Sequence, residues 1–559
     1  MLYPQSNEFR DVISLNGIWG YKIVEEDFVP RTKSTGLSPM AVPASLNEIV
    51  TDKRICNHCG KVLYEKIFSF PVRSKMRYRL RIGAVSHKCE VYLNGKKIGE
   101  GINGFFPVDL ELTGYLQREN RLSIVIDNRL SFDTLPVGEV RGGKQFITFD
   151  FYNFTGIHRD VMVYSLPQNA IEDIAVETVV DGNYEKLRVH VRTDCKKIRF
   201  SVSDKEGNVV AESKENVFSV RNPKLWSPAH PYLYTLVVET ETDRYEQRFG
   251  IRKVEVTENA FLLNGQPVYL KGVGMHEDFC VSGKGNVSAV NVRNFELLKW
   301  LNANSFRTSH YPYSEEIMDL ADEYGMMVID EVPAAGMSYW RDREVFAEDR
   351  VNGKTMELHK KLFEMLVDRD KNHPCVVMYS LGNEPACNED KCREYLEEIF
   401  AYARSKTDMP LTFAEDVKYG TEKCCHLPDV IMMNRYYGWY DGVGDTDCVR
   451  ESLKQEMRKM HLKYRKPVLL SEFGCDTVAG MHSCPSEMFT EEYQTECIRE
   501  NCQALDDTEG CIGEHVWNFA DFKTKQGLTR VGGNKKGIFT RERQPKSVAF
   551  YLRERWEKK

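Results

Sequence analysis

The chain has no apolar run of the roughly eighteen residues that a membrane-crossing helix requires. Its opening, Met1 to Gly17, lacks the basic start and apolar stretch of a secretory signal, so a cytoplasmic protein is expected. An excess of basic charge is missing too. With 76 Lys and Arg against 83 Asp and Glu, the formal net charge is −7, which gives a nucleic-acid partner no electrostatic support. Cys56-Asn57-His58-Cys59 has half the spacing of a zinc site, but the second pair that a structural site needs is absent. The other cysteines of the sixteen read as thiols of a reducing compartment, many serving as small buried apolar residues. Gly272-Val273-Gly274 is not a complete dinucleotide fingerprint, and no phosphate-loop pattern occurs. Asn153-Phe154-Thr155 would be a glycosylation site only in a secreted protein.

What is present is ordinary globular composition, 42% hydrophobic and 28% charged, in 559 residues. That length is too great for one core and predicts about three or four domains. The first part reads as β structure. Asn94-Gly95 is a hairpin turn inside Cys89 to Gly101, and Leu122, Ile124 and Ile126 alternate as in a half-buried strand. A second β unit begins near residue 168, with Leu187, Val189 and Val191 on one face and a further strand at Tyr232 to Glu239. From about residue 255, after a hairpin at Asn264-Gly265, strands alternate with helices. The expected strands are Val268–Val273, Asn304–Ser309, Met326–Glu331, Val376–Leu381, Leu411–Ala414, Val430–Asn434, Val468–Ser471 and Gly513–Asn518. Between them Leu358, Leu362, Met365 and Leu366, and then Leu396, Ile399, Phe400 and Ala403, recur at helical spacing. Ser314 fits an N-cap and Gly325 a C-terminal stop. Eight such units make a (β/α)8 TIM barrel. The expected order is a jelly-roll-like sandwich over 1–167, an Ig-like sandwich over 168–254 and the barrel over 255–559.

In a TIM barrel chemistry sits where strands end. Glu384 closes the fourth expected strand in Asn383-Glu384-Pro385, and Glu472 closes the seventh in Ser471-Glu472-Phe473-Gly474. Hydrolysis of a glycosidic bond takes one carboxyl to protonate the leaving oxygen and another to attack or to activate water. Either glutamate alone could be a helix cap or an ion-pair partner; the pair, on opposite sides of one barrel mouth, points to catalysis. Arg530-Val531-Gly532-Gly533-Asn534-Lys535-Lys536-Gly537 offers turns and donors suited to an anion, although by composition it also reads as a solvated basic loop.

Asn304-Ser305-Phe306-Arg307-Thr308-Ser309-His310-Tyr311-Pro312 with Asp322 and Gly325, the stretch from Asp370-Lys371-Asn372-His373-Pro374 to Asn383-Glu384, and the strand end at Glu472 carry a resemblance. On them the chain resembles glycoside hydrolase family 2 over essentially its full length, and within it the bacterial enzymes of β-D-glucuronides. Tyr379 departs from the tryptophan usual there, and a change of packing is expected. The resemblance implies a retaining exo-glycosidase working by double displacement, with Glu384 as acid/base and Glu472 as nucleophile. It implies no metal and no organic cofactor, and a homo-oligomer, often a tetramer. Residue by residue, it implies that Arg307 and Tyr436 support Glu472 and that Asn383 bonds the 2-hydroxyl of the sugar. Asp150, His276 and His310 would contact sugar hydroxyls, Trp517 and Arg530 would stand near the ring and its carboxylate, Tyr436 and Tyr440 would also bind substrate, and Asn534 with Lys536 would mark a uronic acid. By residue type alone, Arg307 equally suits a structural ion pair and Tyr436 to Tyr440 a packed core. Small-molecule or oligosaccharide β-glucuronides are the expected substrates. A β-galacturonidase or β-galactosidase on the same fold, or a non-catalytic carbohydrate-binding protein, are the alternatives. The connection between Met337 and Val351, short and carrying Tyr339, Trp340 and Phe346, is expected to leave the mouth open to bulky aglycones.

Overall fold

The computed structural model describes residues 2–102, 104–179, 186–340 and 343–559. Its first part is a sandwich of a six-stranded and a four-stranded antiparallel sheet. Strand Asn120–Asp127 lies inside the larger sheet, between Lys61–Phe68 and Lys88–Leu93. The alternation of Leu122, Ile124 and Ile126 turns all three inward, where they pack with Leu80, Ile82 and Val91. Asn94 and Gly95 take φ of +52° and +84°, the paired left-handed conformation of a type I′ turn, and join Lys88–Leu93 to Lys96–Gly101.

The second unit stacks a three-stranded sheet on a four-stranded one. Leu187 and Val189 of Lys186–Arg192 bury against Val202, Leu236 and Val238, whereas Val191, on the same face, is only half-buried at the end of its strand.

Eight parallel strands then close into a barrel. They are β1 (Leu270–Gly274), β2 (Ser305–Arg307), β3 (Met327–Glu331), β4 (Val376–Asn383), β5 (Leu411–Glu415), β6 (Ile431–Asn434), β7 (Val468–Glu472) and β8 (Cys511–Val516). Every residue of β2 to β7 is buried, as strands covered by helices outside and packed side chains inside must be. Helix Gly353–Asp370 turns Leu358, Leu362 and Leu366 inward and leaves Met365 half-buried. Helix Glu315–Tyr324 begins where the Ser314 hydroxyl accepts from the Ile317 N–H and ends at Gly325 with φ +72°. Tyr379 is buried on β4, edge-on to Phe363 with ring centres 5.7 Å apart. No helix among the described residues is long and apolar enough to cross a membrane.

The sandwich reaches over the barrel mouth. The Val137 N–H bonds the Ala335 carbonyl at 3.1 Å, the Thr148 hydroxyl that of Gly336 at 3.1 Å, and the Tyr152 N–H that of Lys523 at 3.1 Å. These ties hold Asp150 at the rim. Of the aromatic connection after β3, Trp340 is buried between Phe132 and Phe146, Phe346 packs edge-on to Tyr395, and Tyr339 is exposed. Arg341 and Asp342, in the middle of that connection, lie outside the described residues.

Candidate active site

Glu384 follows the last residue of β4, and Glu472 is the last residue of β7; both line one cleft of about 1230 Å³ at the strand ends. Glu384 has φ +49°, a left-handed conformation that a residue with a side chain seldom adopts and that concentrates at functional sites. Its N–H is fixed to the Ala414 carbonyl at 2.8 Å, and its Oε1 accepts from the Asn434 amide at 2.8 Å. Arg307, fully buried at the end of β2, donates through Nη2 to Glu472 Oε1 and through Nη1 to both oxygens of Glu331, at 2.9 and 2.8 Å. The Tyr436 hydroxyl donates to Glu472 Oε2 at 2.6 Å.

Burial raises Glu384 above the ordinary carboxyl range, against the pull of the Asn434 amide and the Arg307 charge. Burial also pushes Glu472 up to about 8, with Arg307 opposing it and the Glu384 charge adding to it. Two such carboxyls titrate as a pair. Donor geometry assigns their shared proton to Glu384. Both oxygens of Glu472 accept from donors, one of them an arginine that keeps its charge, whereas among the described residues Glu384 accepts only from Asn434.

A second cluster lines the same cleft. Lys536 is 1% exposed, and its Nζ contacts Asp476 Oδ2 at 2.6 Å and the Tyr440 hydroxyl at 2.9 Å. Arg530 forks onto Asp150 at 3.1, 3.0 and 2.6 Å and donates to the Tyr440 hydroxyl at 2.7 Å. The Asn534 amide donates to Asp150 at 2.9 Å. Two cations and two carboxylates thus balance in the cleft wall, and Asp150, Tyr440, Arg530, Asn534 and Lys536 all line the space that Glu384 and Glu472 share.

Three family profiles together span most of the chain: "Glycosyl hydrolases family 2, sugar binding domain" over 38–167, "Glycosyl hydrolases family 2" over 157–252, and "Glycosyl hydrolases family 2, TIM barrel domain" over 254–559. The chain belongs to glycoside hydrolase family 2. It is therefore a glycoside hydrolase. A β-glucuronidase of Paenibacillus borealis is 40% identical, over 100% of this chain and 98% of its own. A solved β-glucuronidase of an uncultured Clostridium species is 45% identical with a TM-score of 0.97, covering 100% of both chains. A Ruminococcus gnavus β-glucuronidase solved with uronic isofagomine is 37% identical with a TM-score of 0.95, over 100% of this chain and 98% of its own.

The structure of this family 2 member gathers most of the residues expected in the site. Asn383 lines the cleft, and its Oδ1 accepts from the Asn434 amide at 3.2 Å, while its own amide hydrogens bond no other group among the described residues. His310 stacks on Trp517 with ring centres 5.1 Å apart, and its Nδ1 meets Glu331 at 2.8 Å; both rings line the cleft. His276 does not. It stands behind Trp517 and Phe522, 5.3 and 4.3 Å away between ring centres, with Nδ1 against the Tyr311 hydroxyl. Its ring packs behind Trp517, outside the residues that line the cleft. Reading the sequence missed three groups. Glu331 anchors the far side of Arg307, Asn434 holds Glu384 and Asn383 together, and Asp476 pairs with Lys536. The positions of Glu331 and Asn434 at strand ends were a signal that could have found them; Asp476, four residues beyond Glu472, carried none.

Cys56 and Cys59 belong to no cluster of three or more metal-binding side chains among the described residues, and the Cys56 thiol donates to the Val50 carbonyl at 2.6 Å.

Proposed function

We propose that this family 2 enzyme hydrolyses β-D-glucuronides, releasing D-glucuronate from a small-molecule or oligosaccharide aglycone with net retention. Glu384 protonates the leaving oxygen while Glu472 attacks the anomeric carbon; Glu384, now ionised, then activates the water that hydrolyses the glycosyl-enzyme. Arg307 and Tyr436 keep Glu472 an anion with a fixed direction of attack. Asn383 receives the 2-hydroxyl, where a hydrogen bond strengthens as the ring flattens toward an oxocarbenium ion. Lys536, Asn534 and Arg530 receive the sugar carboxylate.

The observation that carries this reading is Lys536, a buried ammonium in the wall of the cleft that holds the two glutamates. Asp476 balances its charge, and together with Arg530 and Asn534 the ammonium offers charge-assisted donors that a sugar carboxylate can accept and a neutral sugar cannot match. The β-glucuronidases to which the chain is similar, one of them solved with a uronic ligand, support the same substrate. Initial rates on aryl β-glucuronide, β-galacturonide and β-galactoside test it. The glucuronide should exceed the galactoside by at least about two decades. A galactoside turned over equally well would overturn the uronic-acid reading, a faster galacturonide would overturn the C4 assignment, and no turnover of any would point to a binding protein.

The same proposal takes the enzyme to be a cytoplasmic homo-oligomer, a tetramer. Its sixteen cysteines, all free thiols in the structure, suit a reducing compartment. Light scattering on the purified protein tests the assembly.

A further inference from the structure

Three cysteines far apart in sequence converge behind the catalytic strand. Cys387 lies three residues beyond Glu384, Cys392 is in the first turn of helix Asp390–Arg404, and Cys424 is in the connection between β5 and β6. Their Sγ atoms all lie within 4.8 Å of one another, and each residue is fully buried. The segments that carry them are tied together, because the Lys423 N–H donates to the Cys387 carbonyl at 2.9 Å. Buried cysteine is ordinarily a small apolar filler. Fillers scatter, however, and these three sulfurs face one another.

We propose that Cys387, Cys392 and Cys424 form a binding site for a single soft, thiophilic ion of low coordination number, Cu(I) being the natural occupant. Thiolates select soft metals. A metal–sulfur distance of about 2.3 Å in a trigonal site sets the sulfurs about 4 Å apart, so they need to close by less than about 1 Å. Structural zinc asks for a fourth ligand, and among the described residues none joins the cluster. The nearby His426 is half exposed and faces Glu397 at 3.6 Å. The one other convergence of potential ligands among the described residues, Asp322 with His373 and Cys375, lacks this character. There His373 Nδ1 holds one Asp322 oxygen at 2.6 Å and the Cys375 N–H holds the other at 2.9 Å, so the group is already closed on itself by hydrogen bonds. None of the three cysteines lines the catalytic cleft, so the ion has no part in hydrolysis. It would pin the ends of β4 and β5 to the helix that follows.

Anaerobic titration of the reduced protein with Cu(I) in acetonitrile, against a chromogenic Cu(I) chelator, tests the site. The protein should withdraw one equivalent from the chelator. X-ray absorption on the one-to-one complex should show three sulfurs at about 2.3 Å. Cys424→Ser should weaken uptake at least a hundredfold, and Cys484→Ser, at an exposed cysteine, should leave it unchanged. Equal affinity in wild type and Cys424→Ser, or two-sulfur coordination in the wild type, would overturn the proposal. The wild-type spectrum decides the question even if Cys424→Ser fails to fold.

Discussion

Lys536→Ala isolates the recognition of the sugar acid. The ammonium is paired with Asp476 at 2.6 Å, and the two side chains are 1% and 3% exposed. Removing one partner of a buried charge pair costs about 3–5 kcal/mol, because the other is left uncompensated. Here Asp476 would keep the Lys535 N–H at 2.7 Å and Arg530 at 3.4 Å, and a bound carboxylate would keep Arg530 and Asn534. The lower end therefore applies. A loss of about 3 kcal/mol corresponds to roughly a hundredfold in kcat/KM on an aryl glucuronide, at about 1.4 kcal/mol per decade. The residual rate on a neutral aryl β-glycoside should stay within about threefold, since no carboxylate is there to lose its partner. Lys535→Ala is the control. Its ammonium faces Asp521 at 3.6 Å, and only its backbone meets Asp476, so a change under about threefold is expected. Steady-state kinetics on both substrates, with a thermal melt to confirm folding, complete the assay. A loss below about fivefold on the glucuronide, or an equal loss on both substrates, would refute the reasoning.

Glu384→Ala should lower turnover by about 10²–10⁴-fold on substrates with poor leaving groups, and azide should restore part of the rate on good ones as β-glucuronosyl azide; an α-azide would contradict retention. The alkaline limb of kcat/KM should follow deprotonation of Glu384 and lie above the ordinary carboxyl range. Because the Asn434 amide favours the Glu384 anion, Asn434→Ala should move that limb to higher pH, and a downward move in the pH–rate profile would reject the assignment. His373, raised to about 9 by Asp322 against the opposing effect of burial, gains a proton's worth of stability on folding. The folded value lies above the unfolded one, so the contribution is complete below about pH 6.5 and is lost as pH rises through about 9. Melts should therefore show a fall of about 2–3 kcal/mol across that window, and His373→Gln should flatten it.

The fold was legible wherever period decides structure. Leu122, Ile124 and Ile126 could only serve one face, and Ser314 and Gly325 mark the two ends of a helix by their own hydrogen bond and backbone angle. All eight barrel strands stand where apolar runs place them, with bounds shifted by up to two residues, as at β1, which starts at Leu270. The two glutamates were legible because each closes such a run. Partners brought together by closure of the barrel were not. Glu331 meets Arg307 across 24 residues, and Asp476 meets Lys536 across 60. Nothing local to Asp476 distinguishes it from a surface carboxylate. His276 shows the converse: a residue type suited to sugar contact is drawn behind Trp517 by the packing of aromatic rings. The aromatic connection after β3 divides in the same way, with Trp340 packed on the sandwich and Tyr339 left at the mouth.

The central claim is that Glu472 attacks a glucuronide while Glu384 supplies the proton. Incubation with a 2-deoxy-2-fluoro-β-D-glucuronosyl fluoride, which slows breakdown of the intermediate more than its formation, followed by peptide mass spectrometry, tests it most directly. The account predicts one added fluoroglucuronosyl group per chain, on the peptide that contains Glu472 and at that residue, with activity returning as the adduct hydrolyses. Labelling of Glu384 or of any other side chain, or turnover of the fluoride with no covalent adduct and an α-configured first product, would contradict it.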